Sequence, residues 1–172
     1  MLKRKKIGED KFKKAFIEIF EGNIYLAKKD LNTAKKHFES ALEANPELIT
    51  PYENLARIYL KEGKESEAIS KFEKILAKNP KYLPGYMALG TIYTQQNKMD
   101  KVESYYREAL KIKKDFAPAA NNLAWLIVER EGDINEALGF ARIAKEKFPN
   151  DAAIMDTLGW IYYLKGDRKS VV

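Results

Sequence analysis

The sequence predicts an all-α fold built from one repeated helical hairpin, and three periodic features predict it. Small residues recur at a fixed step, aromatic residues follow them in the same rhythm, and each period holds two helical apolar patterns separated by turn chemistry. Gly22, Ala56, Gly90, Ala124 and Gly159 stand 34, 34, 34 and 35 residues apart. Tyr25, Tyr59, Tyr93, Ile127 and Tyr162 lie three places behind them.

Taken in order, each period reads as a first helix, a tight turn, a second helix and a stop. The first helix carries the small residue, which lets a second backbone approach closely. Turns such as "KEGK", "QQNK" and "EGD" break the pattern with Gly and Asn. The second helix is marked by Ala34, Ala68, Val102 and Ala137, with Phe38, Phe72, Tyr106 and Ala141 one turn further on. Pro46, Pro80 and Pro149 close three of the units and Lys114 takes that place in the third; proline after a helix prevents its continuation. The units fall at residues 15–48, 49–82, 83–116, 117–151 and 152–172. The fourth has one extra residue in its turn, "VEREGDINEA" against "LKEGKESEA", expected to be absorbed at the hairpin tip. Glu18 and Glu21 replace apolar residues in the first unit and fit a polar terminal cap.

This pattern resembles the tetratricopeptide repeat, whose Leu-Gly…Tyr…Ala…Phe…Pro signature agrees at several positions in every unit from residue 15 to 172. The resemblance implies a right-handed α-α superhelix of four full repeats and part of a fifth. It also implies a non-catalytic scaffold that binds a partner peptide or helix along the concave side. Groove-facing places are then Asn23, Asn54, Arg57, Lys61, Met87, Thr91, Asn121, Trp125 and Trp160. Trp125 and Trp160, the only tryptophans, occupy equivalent places and are expected side by side as aromatic anchors.

Two specialised grooves of the family fit less well. The chaperone-binding carboxylate clamp needs cations where Ile19, Pro84 and Ala88 stand, although Asn23 and Asn54 match. The asparagine ladder of O-linked N-acetylglucosamine transferase has rungs at Asn54 and Asn122 but is interrupted by Phe20, Ala88 and Thr157. An alternative reading makes the chain the substrate-recruiting arm of a larger enzyme such as a glycosyltransferase. Stretches such as "NNLAWLIVEREGD" and "DTLGWIYYLKGD" look like bacterial arrays tied to envelope systems, which leaves localisation open.

Composition narrows the function classes. With 172 residues, 45% of them hydrophobic and 33% charged, the chain is globular in character. Of the net charge of +6, +5 sits in residues 1–14, "MLKRKKIGEDKFKK". That segment reads as a basic arm before a neutral body, without the aromatic interleaving that single-strand nucleic-acid binders use. No apolar run reaches the roughly 20 residues of a membrane span. No cysteine is present and His37 is the single histidine, expected at the solvated surface. Neither a catalytic set, a metal site nor a cofactor loop is therefore expected.

The closing stretch "TLGWIYYLKGDRKSVV" reads as the first helix of a fifth repeat and, from Ser170 to Val172, the start of its second, as in a fragment of a longer array. Leu158, Trp160, Ile161, Tyr162 and Leu164 are expected to leave an uncovered apolar patch there, through which two copies could pair as a homodimer.

Overall fold

The computed structural model describes residues 2–166, with side chains from Asp10 onward. The side chains of residues 2–9, in the basic segment, and the expected second helix at Ser170–Val172 lie outside the described residues. Among the described residues the chain is all-α, with nine helices. They are α1 (Leu2–Ala27), α2 (Leu31–Ala44), α3 (Ile49–Lys61), α4 (Glu65–Lys78), α5 (Leu83–Gln95), α6 (Met99–Ile112), α7 (Ala117–Glu129), α8 (Ile134–Lys147) and α9 (Ala152–Lys165). They divide into two compact units, Met1–Pro80 and Lys81–Val172.

The basic segment does not form a separate arm: the backbone of α1 runs through it without a break. Lys, Arg, Glu and Ala favour helix and residues 2–27 contain no proline, so nothing in this stretch stops the helix. The expected polar cap is also corrected. Phe12, Phe16 and Phe20, one turn apart, are exposed together with Ile17. Glu18 instead turns toward α2, where its Oε2 lies 2.8 Å from His37 Nδ1. His37 stacks on Tyr25 at 5.2 Å, so it is half-buried and paired rather than solvated.

In the first unit, α1 packs on α2, α2 on α3 and α3 on α4. Ala34, Phe38, Leu55 and Ile58 form a buried cluster, with Tyr25, Leu26, Leu31, Leu42 and Tyr59 packed around it. Gly22 shows why the period needs a small residue: a Cβ there would lie 2.6 Å from the Phe38 ring. The second unit repeats this device, because a Cβ at Gly90 would run into the Tyr106 ring. There α5 packs on α6, α6 on α7, α7 on α8, and α9 on both α7 and α8. Its core contains Leu89, Ile92, Ala120, Leu123, Ala141, Ile154 and Ile161.

The turns within the hairpins are periodic in a way that residue type conceals. Lys29, Gly63, Asn97 and Glu131 all have left-handed backbone, with φ of 62°, 73°, 56° and 54°. They stand 34 residues apart, although only one of them is glycine. In the longer fourth turn, Glu131 takes the left-handed place and not its neighbour Gly132. Gly132 is needed for close approach instead: its N–H donates to Ile127 O at 2.8 Å, and a Cβ would meet Ile127 Cγ2 at 2.9 Å. The extra residue is thereby held in the turn, and α7 and α8 keep the 13 and 14 residues of α5 and α6. Asp30, Asp133 and Asp151 cap α2, α8 and α9 through side-chain oxygens that accept backbone N–H bonds.

Candidate functional site

Along the first helices, the residue just after each small residue should face one side of the hairpin array, because one helical register repeats in every unit. In the first unit that side is polar. Asn54 Nδ2 donates to Asn23 Oδ1 at 3.2 Å, and Asn54 is 9% exposed. Its amide therefore spends a donor within the chain. Arg57 and Lys61 are exposed. A nearby ion pair ties consecutive hairpins together, Glu62 to Lys35, and Glu62 also binds Lys64 of its own turn at 2.8 Å. Hydrogen bonds from Lys35 and Lys64 hold the Glu62 carboxyl below the usual carboxylate range.

The second unit contains a cavity of about 240 Å³ between α5, α6, α7 and α9. Met99, Val102, Leu126 and Ala153 supply apolar wall. Thr94, Tyr106, Asn121, Asn122 and Thr157 supply polar atoms, and Trp125, 44% exposed, stands at its edge. No lining side chain is charged. Two arginines of this unit pair outside the cavity: Arg107 bonds Glu103 and Glu136, each at 2.8 Å, and Arg130 bonds Asp100 at 2.7 Å and Glu103 at 3.0 Å. The Glu136 hydrogen bond, with that of Glu103 behind it, raises the Arg107 pKa further.

Several polar atoms of the cavity are committed. Asn122 Nδ2 donates to Tyr106 Oη at 3.3 Å. Thr94 Oγ1 donates to Gly90 O at 2.9 Å, and Thr157 Oγ1 donates to Ala153 O at 3.0 Å. Asn121 Oδ1 is not: it is buried and accepts no hydrogen bond among the described residues. A buried acceptor without a donor costs on the order of 1–3 kcal/mol, so it marks a place where a donor is wanted.

The structure thus brings Asn121 and Trp125 to one cavity, whose lining includes none of Met87, Thr91 and Trp160. Met87 is half-buried, and its carbonyl accepts from Thr91 Oγ1 at 3.0 Å. Trp160 does not share the cavity with Trp125. It stacks on Tyr163 at 5.4 Å and lines a shallower depression with Val128, Gly132 and Leu164. The expected terminal patch also changes composition. Ile161 is fully buried, because the α9 face that carries Ile154, Thr157 and Ile161 is the one packed on α7 and α8. Leu158 and Tyr162 are half-buried, and the exposed large apolar residues of α9 are Met155, Trp160, Tyr163 and Leu164.

Sequence reasoning missed Met99, Tyr106 and Ala153 as cavity residues. Tyr106 reads as a packing aromatic, and only its hydroxyl, absent from the equivalent Phe38 and Phe72, hints at a polar role. Among the described residues no group of three His, Cys, Asp or Glu side chains could hold a metal ion. None of the described helices is long and apolar enough to cross a membrane.

Comparison with known proteins agrees with this architecture. Two family models, each described as "Tetratricopeptide repeat", match residues 59–126 and 19–48. No curated protein matches the chain by sequence. Among solved structures, the MamA protein superposes with a TM-score of 0.74 at 18% identity, over 92% of this chain and 86% of that one. YrrB, described as a TPR protein with an unusual peptide-binding site, gives 0.68 at 22% identity over 90% and 79%. PilF of Pseudomonas aeruginosa gives 0.73 at 16% identity over 92% and 72%.

Proposed function

The chain belongs to the tetratricopeptide repeat family, and on that premise we propose that it binds a partner peptide or helix in the cavity of residues 81–172. The coarser statement stands on the family and the fold: this is a protein-interaction scaffold of a kind that is typically non-catalytic. The finer one rests on a single observation, the uncharged cavity that pairs the exposed ring of Trp125 with the unmet acceptor of Asn121. Exposed tryptophan beside a pocket supplies large apolar area at small entropic cost and is enriched among binding hot spots. The peptide-binding site named for YrrB is in keeping with this reading.

Capture on immobilised protein tests it. Partners retained by the wild-type chain should be lost from Trp125→Ala, while circular dichroism shows the helices intact. Partners held equally by both would move the binding surface elsewhere.

A further inference from the structure

The cavity of the second unit has a hydrogen-bonding character that goes beyond being apolar. The hydroxyl protons of Thr94 and Thr157 are given to backbone carbonyls, leaving both oxygens only lone pairs to offer. Asn121 Oδ1 is a buried acceptor with no donor among the described residues. The side-chain amide of Asn122 is turned to Tyr106 Oη. The wall therefore sets one unmet acceptor on an apolar ground, beside the hydroxyl proton that Tyr106 keeps while accepting, and it has no carboxylate to receive a lysine or arginine. A buried cation would be left unpaired there, at heavy cost.

Resting on the reading that this cavity binds a partner, we infer that it takes a tryptophan side chain of that partner, whose indole N–H donates to Asn121 Oδ1. Indole is an apolar body with one N–H donor, which meets that acceptor while its rings rest on the apolar wall. Phenylalanine would fill space and leave Asn121 unmet. The size fits as well: a cavity of roughly 150 Å³ admits a benzene ring, and about 240 Å³ leaves room for the second ring of an indole. Trp125, at the edge, offers a face on which the incoming ring or its neighbour can stack.

The test uses the whole chain and capped pentapeptides of glycine with one central residue: tryptophan, 1-methyltryptophan, phenylalanine, tyrosine or leucine. All share the same peptide N–H groups, so differences among them report the side chain alone. Binding is followed by shifts of the Asn121 and Asn122 side-chain amides and the Trp125 indole in nitrogen–proton correlation spectra. The tryptophan peptide should bind about tenfold more tightly than the 1-methyl analogue and the phenylalanine peptide, the size expected for one buried acceptor met or unmet. In Asn121→Leu, tryptophan and 1-methyltryptophan should bind alike. Equal binding of those two by the wild-type chain, or tyrosine matching tryptophan, overturns the indole assignment and leaves the cavity as a general apolar site. No shift with any peptide at low-millimolar concentration overturns both this assignment and the cavity as the binding site.

Discussion

The two units build the same hairpin and put opposite chemistry on equivalent places. Arg57 in residues 1–80 and Trp125 in residues 81–172 each follow the small residue of their first helix. One is a charge and the other an aromatic face, and both are exposed. Asn54 and Asn122 are likewise equivalent. Asn54 is spent on Asn23, whereas Asn122 is drawn to Tyr106 Oη, which the Phe38 of the first unit has no hydroxyl to imitate. Beside it, Asn121 is left with a bare acceptor. The backbone period repeats the scaffold, and one hydroxyl or one aromatic ring per hairpin changes the chemistry of the surface it presents.

The largest way to break this comparison is in the packing that both units share. Phe38 is fully buried against Gly22, so Phe38→Ala should cost about 3–5 kcal/mol of stability in denaturant unfolding. Tyr106→Phe should leave the second unit folded and act through Asn122. Equal losses in the two variants would mean that the Tyr106 hydroxyl is structural.

Binding separates the units next. Trp125→Ala should weaken a partner of the cavity by about 2 kcal/mol by calorimetry, and Arg57→Ala should change the same affinity little. That affinity should be nearly independent of salt, since screening acts on charges and the cavity lining has none. A steep salt dependence would shift the site toward Arg57 and Lys61.

Turn substitutions are smaller and should have opposite signs. Lys29 and Gly63 are equivalent left-handed residues. Lys29→Gly should stabilise by about 0.5–1 kcal/mol and Gly63→Ala should destabilise by about 1 kcal/mol, because a Cβ is penalised in that region. Thermal unfolding of the pair checks both.

The smallest effect is in acid. Hydrogen bonds from the Thr33 hydroxyl and backbone N–H hold the Asp30 carboxyl below its ordinary value. A carboxyl depressed on folding contributes stability that is complete above its unfolded pKa. That contribution is lost as pH falls from about 4 through the lowered folded value. Asp30→Asn keeps a capping oxygen without the titration, so its stability should fall less steeply than wild type below pH 4. Parallel acid limbs for the two proteins would remove Asp30 from the titration.

How much was legible in the sequence follows from the range over which each feature is decided. The small-residue period, the aromatic rhythm and the turn chemistry are local, and they specified helices and hairpins because helical periodicity is a property of a dozen neighbouring residues. The place of Trp125 on a first helix was legible for the same reason. The burial of Ile161, the row Phe12–Phe16–Phe20 left outside and the turning of Glu18 toward His37 were not. Each depends on which face of a helix meets residues a hairpin away. Nor could the sequence distinguish Asn54 from Asn121, two asparagines on first helices of the same pattern. One donates to a partner 31 residues back in the chain, and the carbonyl oxygen of the other accepts from none among the described residues. The sequence by itself determined the repeating scaffold and its exposed aromatic. The tertiary structure decided which polar groups that scaffold satisfies and which buried one it leaves unmet among the described residues, because hydrogen-bond satisfaction is settled by neighbours in space.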